Sequence, residues 1–243
     1  MPYIVVTGGA KRIGAEICKH FAKRGYNIIL HYNQSKVEAT NLASDLRKHN
    51  VEVELFQADL SNLNEAKKLS DFLNNFPIAA LINNASAFKN DSINSDNFID
   101  SLNEHLMVNY LARVVLIKGI KDSLQIEEKL DIINLLDYGM YKVPDNFFSY
   151  HMANKMMHQF TQLAARQLAP NIKINSIALG QTFKNEKQSQ ENFQDAINAT
   201  PLKCSSTVHD LLQAVDFILN VKSMTGQTIC IDGGMSLSDD KYR

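Results

Sequence analysis

A glycine-rich turn near the N-terminus is the first segment whose composition points to chemistry. A short apolar run ends in Thr7-Gly8-Gly9-Ala10-Lys11-Arg12-Ile13-Gly14, and a segment of helical periodicity follows at once. Glycines let a backbone approach a pyrophosphate, and the N-terminus of the next helix presents free N–H groups to it. The segment has no GxxxxGK[ST] pattern, so it is not a Walker loop. Its position after the first strand favours a dinucleotide site over a plain strand–helix corner.

The end of the second apolar run indicates which dinucleotide would bind. Chains that bind NAD usually carry Asp or Glu here to hold the ribose 2′-hydroxyl. This chain instead reads HYNQSK over residues 31–36, without a carboxylate. A 2′-phosphate could accept hydrogen bonds from Lys11, Arg12, His31 and Ser35, so the pattern favours NADPH. Ser35 is also a good N-cap for the following helix, and the two roles are compatible.

A parallel sheet would position these segments. Runs rich in Val, Ile and Leu predict strands covered on both faces, at Ile4–Val6, Asn27–Tyr32, Val51–Phe56, Ala79–Asn83, Asp131–Leu136, Ile172–Ile177 and Gln227–Ile231. Helical periodicity predicts helices at Ala15–Arg24, Lys36–His49, Leu63–Asn75, Phe98–Lys121, Phe148–Leu168 and Thr207–Val221. The alternation predicts a Rossmann-type α/β fold, with a doubly wound sheet of seven parallel strands and helices on both faces.

The same alternation bears on domain organisation. No linker rich in Pro, Gly or Ser and no internal repeat interrupts it, so residues 1–243 are predicted to form one domain. The exception is the polar stretch Lys184–Asn198, which follows Gly180. A solvated helix, a disordered insertion and a mobile flap over a site all remain open for it. We expect the region 181–200 to be a mobile substrate loop.

Composition excludes several classes of protein. The 243-residue chain has 25 Lys+Arg and 26 Asp+Glu, a formal net charge of −1, whereas a protein held on nucleic acid normally shows a basic excess. Cys18, Cys204 and Cys230 form neither a CxxC pair nor a zinc spacing, which is typical of a reducing compartment and gives no metal site. Neither a signal peptide nor a membrane span is predicted, so we expect a cytoplasmic protein without a membrane partner.

Several motifs in order resemble the short-chain dehydrogenase/reductase family over nearly the whole chain. Thr7-Gly8 and Gly14 match its TGxxxGxG, with Arg12 in place of the middle Gly, and this variant is similar to the pteridine reductase branch. HYNQS is similar to the HYxRS of that NADPH-dependent branch, with Gln34 replacing its Arg. Asp59 matches the family's adenine contact, Asn83-Asn84-Ala85-Ser86 its NNAG motif, and Asn109 the Asn that holds a relay water. The stretch from Asn175 to Gly180 matches its NxxxPG motif, with Leu179 replacing Pro. The closing strand of the family is matched by Thr225-Gly226-Gln227 and Asp232-Gly233-Gly234.

The resemblance implies a set of cofactor contacts. They are Gly8, Lys11, Arg12, Ile13, Gly14, His31, Asn33, Ser35, Asp59, Asn84, Ala85, Asn154 and Gly180. Taken singly, Asn83 and Asn84 could simply satisfy backbone groups at a strand end.

The resemblance also implies a catalytic Ser, Tyr and Lys, in which the Tyr donates a proton and the Lys of YxxxK binds the nicotinamide ribose and lowers the Tyr pKa. Tyr150 matches the Tyr, and Asp137 occupies the Ser position, as in pteridine reductases. A carboxylic acid beside a reducible C=N can hold or relay a proton. Alone, Asp137 would be interpreted as a loop carboxylate, but its spacing to Tyr150 favours the catalytic role.

The Lys position departs from the family. The downstream register places Asn154 there, and Lys155 comes one residue later. On a regular helix Lys155 is turned by about 100° from Asn154 and points elsewhere. Asn154 can hydrogen-bond a ribose hydroxyl but brings no charge to lower the Tyr150 pKa. A local π-bulge is the alternative by which Lys155 would reach the site.

Phe88 bears on the substrate. It falls where pteridine reductases carry an aromatic ring that sandwiches the pterin against the nicotinamide, although it could equally pack its loop onto the core. Ser86 is the second expected substrate contact.

Together these matches imply NADPH-dependent reduction of a dihydropterin or dihydrofolate. They also imply a homotetramer packed through Phe98–Lys121 and Phe148–Leu168. Two alternatives stay open. One is a reductase of a carbonyl compound such as a 3-oxoacyl thioester, against which Asp137 argues. The other is a non-catalytic NADP-binding homologue, for which Asn154 is the main support.

Overall fold

Seven strands form one sheet in the computed structural model, which describes residues 1–124, 129–143, 145–184 and 189–238. The strands are β1 (Tyr3–Val6), β2 (Asn27–Tyr32), β3 (Val53–Gln57), β4 (Ile78–Asn83), β5 (Leu130–Asp137), β6 (Ile172–Leu179) and β7 (Thr228–Ile231). All neighbouring pairs are parallel, in the order β3-β2-β1-β4-β5-β6-β7. The predicted doubly wound seven-stranded sheet is confirmed.

Helices cover both faces of this sheet. They are α1 (Arg12–Ala22), α2 (Lys36–Arg47), α3 (Leu63–Leu73), α4 (Phe98–Leu106), α5 (Ala112–Ser123), α6 (Phe148–Leu168), α7 (Gln190–Asn198) and α8 (Val208–Asn220). Apolar residues of α1, α2 and α8 belong to one buried cluster, and those of α3, α5 and α6 to the other. None of the helices within the described ranges is long and apolar enough to cross a membrane.

The first strand shows why the sheet is buried on both sides. Successive side chains of a strand point to opposite faces. Ile4 and Val6 accordingly join the cluster under α1, α2 and α8, whereas Tyr3 and Val5 join the cluster under α3, α5 and α6. Because both faces need apolar residues, the strand has no polar alternation, which is the pattern that predicted it.

The predicted helix Phe98–Lys121 is the main departure from expectation. It is divided into α4 and α5 by a π-helical turn at Met107–Leu111. The apolar periodicity continues through the turn, so sequence periodicity gave no sign of the interruption. The predicted polar stretch Lys184–Asn198 contains α7, while 185–188 lie outside the described residues.

The strand order fixes where a ligand can lie. From β1 the chain runs outward to β2 and β3 and then returns to place β4 on the other side of β1. In open parallel sheets ligands bind beyond the carboxyl ends of the strands, at the point where the strand order reverses. The glycine-rich turn after β1 and the NNAS segment after β4 both lie at this point.

Candidate active site

The turn between β1 and α1 has the geometry of a phosphate-binding loop. Gly8 has a φ of +63°, and a Cβ on Gly14 would lie 2.2 Å from the Gly8 carbonyl oxygen, so larger residues do not fit there. Among the described residues no side chain caps α1, and its first turn holds no acidic residue. Free N–H groups at a helix N-terminus beside Lys11 and Arg12 suit the negative charge of a pyrophosphate.

Arg12 adopts a backbone conformation that is typical of glycine. Its φ is 51°, in the left-handed region that non-glycine residues rarely enter. The chain thus keeps the path that a glycine would take, although the sequence has an arginine. The exposed Arg12 guanidinium lies 5.6 Å from the centroid of the Phe183 ring and 3.5 Å from the Phe183 carbonyl oxygen. It therefore links the glycine-rich turn to the segment after β6.

Asn84 holds the two loops of the site together rather than presenting its amide to a ligand. Its Nδ2 donates to the carbonyl oxygens of Thr7, at 2.8 Å, and Gly8, at 3.0 Å. The Thr7 hydroxyl in turn accepts from the backbone N–H groups of Asn84 and Ala85, each at 3.0 Å. Neighbouring Asn83 donates to Asn134 in β5. These bonds support the interpretation that both asparagines satisfy polar groups at a strand end.

His31 has no ring nitrogen left for a phosphate. Its Nδ1 accepts from the Gly8 N–H at 3.1 Å, and its Nε2 lies 3.0 Å from the Ala58 carbonyl oxygen. The side chain is 2% exposed, and burial lowers its pKa, so the neutral Nε2–H tautomer fits both contacts. The expectation that His31 donates to the cofactor is therefore corrected, because its nitrogens join the glycine-rich turn to the end of β3.

A carboxylate, that of Glu38, lies among the residues expected to hold a 2′-phosphate, although residues 31–36 at the end of β2 contain none. Lys11 Nζ lies 3.6 Å from Glu38 Oε1, and Glu38 is in the first turn of α2. The signal that could have found it is the spacing Ser35-x-x-Glu38, which is typical of a capping box. Ser35 directly precedes α2, but its side chain makes no cap bond to the helix. The backbone carbonyl of Asn33 accepts a hydrogen bond from the Gln57 side chain.

Three further expected cofactor residues lie at the same edge of the sheet. Asp59 follows β3, and its Oδ1 accepts from the Ser61 N–H at 2.9 Å. Gly180 follows β6, where a Cβ would lie 2.8 Å from the Cα of Asp232. Ile13, in the first turn of α1, is partly buried and packs against the apolar cluster on its face of the sheet.

Tyr150 and Asp137 lie together, as their spacing predicts. The Tyr150 hydroxyl donates to Asp137 Oδ2 over 3.4 Å, and Asp137 Oδ1 accepts from the Gly139 N–H at 2.7 Å. Asp137 ends β5 and Tyr150 lies in the first turn of α6. Burial, and then the Asp137 carboxylate, raise the Tyr150 pKa well above its usual value, so the phenol is protonated at neutral pH.

Asn154 and Lys155 have different surroundings. Asn154 is 3% exposed, and its side chain accepts from the Asp137 N–H at 3.1 Å and donates to the Tyr150 carbonyl at 2.9 Å. Lys155 Nζ instead donates to the Lys142 carbonyl at 2.8 Å. Because α6 is a continuous α-helix through both residues, the π-bulge that would turn Lys155 inward is absent from it.

A π-helical turn does occur at the site, but around Asn109. The Asn109 side chain accepts from the Ala87 N–H at 2.7 Å and donates to the Ala87 carbonyl at 2.9 Å. Both polar atoms of the amide are therefore used on the loop after β4. His105, one helical turn earlier, accepts from the Lys89 N–H at 3.2 Å.

Two stacked aromatic rings lie beside the Tyr150 ring. Phe88 is 50% exposed and stacks on Phe147, with ring centroids 4.6 Å apart and planes inclined by 7°. It also meets the Tyr150 ring edge-on at 4.8 Å. Phe147 was not anticipated from the sequence, and its φ of 57° places it in the left-handed region just before α6. Exposed Ser86 lies in the same loop as Phe88 and donates to the Ala87 carbonyl.

Arg113 is a further residue that sequence reasoning missed. It is 3% exposed, and its two terminal nitrogens donate to the carbonyls of Leu135, at 2.9 Å, and Ala85, at 3.0 Å. An arginine in an amphipathic helix is ordinarily solvated. Its four-residue spacing from Asn109 is the signal that could have placed it on the same helix face.

Comparison with known proteins gives a consistent result. The sequence model of the short chain dehydrogenase family matches residues 2–196. A dihydromonapterin reductase of Escherichia coli strain SMS-3-5 is 26% identical over 239 residues, which are 96% of this chain and 96% of the relative. The same protein of Escherichia coli strain K12 gives the same identity and coverage.

Solved structures resemble the chain over nearly its whole length. FolM alternative dihydrofolate reductase 1 from Brucella canis, complexed with NADP, has a TM-score of 0.93 and 28% identity, and the match covers 99% of this chain and 96% of that one. The corresponding Brucella suis protein, also in complex with NADP, has a TM-score of 0.92 and 28% identity, with 99% and 97% covered.

Proposed function

The chain belongs to the short chain dehydrogenase family, and we propose that it is an NADPH-dependent reductase that converts a dihydropterin or dihydrofolate to its tetrahydro form. The observation that carries this proposal is the pairing of the Tyr150 hydroxyl with the Asp137 carboxylate, 3.4 Å apart. The pair lies beside the Phe88 and Phe147 rings. Relatives named dihydromonapterin reductase and alternative dihydrofolate reductase support the same substrate class.

The described residues fit NADPH. The glycine-rich turn and the uncapped start of α1 would hold the pyrophosphate, with Lys11 and Arg12 beside it. Lys11, Arg12 and Ser35 would hold the 2′-phosphate, with Asn33, Asp59, Ala85 and Gly180 lining the same edge. NADP in the two Brucella structures supports this assignment. When bound, NADPH supplies the hydride that adds to the carbon of a ring C=N.

The protein groups supply the matching proton. Reduction of C=N adds one hydride to carbon and requires one proton on nitrogen. The Tyr150 phenol is protonated at neutral pH and hydrogen-bonded to Asp137, so the pair holds a proton that can pass to the ring nitrogen. Phe88 offers an exposed aromatic face for a flat heterocycle, and stacking on it orients the ring toward Tyr150.

A substrate panel tests this proposal. NADPH oxidation is followed with dihydrobiopterin, dihydromonapterin, dihydrofolate and an acetoacetyl thioester, after NADPH binding has been confirmed by fluorescence. We expect turnover with at least one dihydropterin or dihydrofolate and none with the thioester. Turnover of the thioester alone would identify a carbonyl reductase. NADPH binding with no turnover of any compound would favour a non-catalytic homologue.

We also propose that the chain works as a homotetramer in a reducing compartment such as the cytoplasm. Three unpaired cysteines support the compartment. Apolar residues exposed on the helices expected at the interface support assembly, with Ile99 63% exposed on α4 and Leu163 69% exposed on α6.

Light scattering of the purified chain tests the assembly. We expect the mass of a tetramer for the unmodified protein and a smaller species for Leu163→Glu. Leu202→Glu is the matched control, because Leu202 is 73% exposed outside these helices and should leave the mass unchanged. A monomer at all concentrations would contradict this proposal.

A further inference from the structure

The surroundings of Tyr150 pose an electrostatic problem. Burial and the Asp137 carboxylate both raise the pKa of the phenol, and a donor with a strongly raised pKa gives up its proton slowly. In the family pattern a lysine four residues after the tyrosine opposes this effect, but here that residue is Asn154. Lys155 is bonded to the Lys142 carbonyl. A positive charge that opposes the raised pKa would therefore have to come from another element.

Arg113 is a buried cation whose guanidinium bonds to the carbonyl of Leu135, two residues before Asp137 in β5, and to that of Ala85. Its Nε is buried and has no hydrogen-bond partner, and in the described parts of the chain no carboxylate forms an ion pair with the guanidinium. Burial lowers the Arg113 pKa to about 10, and a Tyr150 phenolate would raise it, so the group is charged at neutral pH. An unpaired buried cation costs stability, which makes it unusual unless its charge is used.

The geometry of α4, the π-helical turn and α5 explains how Arg113 reaches the site. Three side chains spaced by four residues along the helices bond to three residues spaced by two along the loop after β4. The pairs are His105 with Lys89, Asn109 with Ala87 and Arg113 with Ala85. The helix face therefore stays bonded to the loop after β4 along its length. Arg113 makes the last of these bonds, next to β5.

We propose that Arg113 supplies the positive charge that favours proton donation from Tyr150, and so replaces the absent lysine of the family pattern. This role rests on the proposed reductase function for its kinetic consequences. Arg113 acts through Tyr150 rather than on the substrate, so it is a positioning residue. Asp137 from β5 bonds to the Tyr150 hydroxyl, His105 from α4 and His151 from α6 contact its ring, and Arg113 from α5 acts on its pKa through charge. Of these, Arg113 carries a permanent positive charge near neutral pH.

The first test removes the charge and then returns it at the family position. Arg113→Met should lower kcat about tenfold with little change in KM for NADPH, and should increase the solvent deuterium isotope effect on kcat. Asn154→Lys in the Arg113→Met background should restore most of kcat, although the bonds to Leu135 and Ala85 remain lost. Arg47→Met is the matched control, because Arg47 also donates to a backbone carbonyl, that of Val53, away from the site. Full activity in folded Arg113→Met, or no recovery in the double variant, would overturn the proposal.

A second test makes the same lysine substitution with Arg113 in place. If Arg113 already supplies the charge, Asn154→Lys in the unmodified chain should raise kcat by a much smaller factor than the same change does in the Arg113→Met background. An equal or larger factor in the unmodified chain would mean that the site lacks a cation, and would overturn the proposal.

A third test needs no substrate and so separates this proposal from the reductase function. Titration of carbon-13-labelled tyrosine by NMR, assigned with Tyr150→Phe, should show Tyr150 ionising at higher pH in Arg113→Met and at lower pH in Asn154→Lys. An Arg113→Met curve that is unchanged or moves to lower pH would refute the role of Arg113 whether or not a dihydropterin is reduced.

Discussion

At the level of single residues, Asp137 distinguishes this site from one built on a serine. A serine hydroxyl at its position would carry no charge, whereas the Asp137 carboxylate accepts the Tyr150 hydrogen bond and, once protonated from solvent, can resupply the proton that Tyr150 donates. The carboxylate has a cost, since it raises the Tyr150 pKa. Asp137 and Arg113 therefore act on the tyrosine in opposite directions, and the proton-donating strength of Tyr150 depends on their balance.

Asp137→Ser tests the contribution of this carboxylate. We expect kcat with a dihydropterin to fall about a hundredfold, because the relay group is lost, while NADPH binding stays unchanged. Asp131→Ser is a suitable control, since Asp131 lies at the other end of β5 and pairs with Lys173 at 3.0 Å. Equal kcat values for Asp137→Ser and the unmodified protein would show that Asp137 is only a structural residue.

Lys11 is the residue at which cofactor preference can be tested. It pairs with Glu38, and this pair would have to open to admit a 2′-phosphate. Lys11→Met should raise KM for NADPH about tenfold, which corresponds to the loss of one charge-assisted hydrogen bond, and should leave KM for NADH unchanged. Lys19→Met is the control, because Lys19 pairs with Glu16 elsewhere on α1. A parallel change in both KM values would argue against a 2′-phosphate contact.

At the level of elements, polar side chains form hydrogen bonds between loops that follow different strands of the sheet. His31, at the end of β2, joins the turn after β1 to the residue after β3, and Asn84, after β4, bonds back to the turn after β1. The loops at the ends of β1, β2, β3 and β4 are thus connected to one another. A glycine-rich turn held in this way is pre-organised for a ligand, which lowers the ordering cost of binding.

His31 gives this network a pH dependence. Its pKa is lowered in the folded chain, so below about pH 6.5 the unfolded chain binds more protons and the free energy of unfolding falls as pH falls. His31→Gln should destabilise the protein by about 1–3 kcal/mol near neutral pH and should flatten this dependence. Urea denaturation over a series of pH values measures both, with exposed His49→Gln as the control for loss of an imidazole. If the free energy of unfolding falls with pH equally steeply in His31→Gln and in the unmodified protein, this account is refuted.

The limits of sequence reasoning are clearest for these elements. The inner strands were predictable because they are apolar runs buried on two faces, as the four residues of β1 illustrate, whereas the edge strands β3 and β7 are only partly buried. The division of Phe98–Lys121 was not, because Met107–Leu111 keeps the apolar periodicity while its hydrogen bonding changes. The partners of His31 depend on which strands are neighbours, and that order is a property of the folded sheet.

The candidate site was predictable to a similar degree. The family resemblance placed Asp137 and Tyr150 in one catalytic set, and they lie in contact because one ends a strand and the other begins a helix packed beside it. Phe147 and Arg113 escaped notice, since an aromatic residue before a helix and an arginine within one are ordinary in sequence. Their importance comes from the stacked Phe88 ring and from the burial of the guanidinium.

For the molecule as a whole, one sheet brings the residues proposed to bind cofactor and substrate to a single edge. The glycine-rich turn, the NNAS loop, Asp137 and Gly180 follow β1, β4, β5 and β6, so every part of the proposed site lies beyond the carboxyl ends of parallel strands. Under the proposed function, this arrangement would let a nicotinamide ring, a flat substrate and Tyr150 meet. The close match to two alternative dihydrofolate reductases over 99% of the chain agrees with it.

The central claim is that hydride passes from NADPH to a dihydropterin or dihydrofolate at Tyr150. Isotope transfer tests it most directly. The protein is incubated with NADPH deuterated at the transferable position of the nicotinamide and, in parallel, with dihydrobiopterin, dihydromonapterin or dihydrofolate. The tetrahydro product is then analysed by mass spectrometry, with Tyr150→Phe as the control that keeps the aromatic ring. We predict a product carrying one deuterium from the unmodified protein and at least a tenfold slower appearance of it from Tyr150→Phe. Bound NADPH with no deuterium in any tetrahydro product would contradict the account.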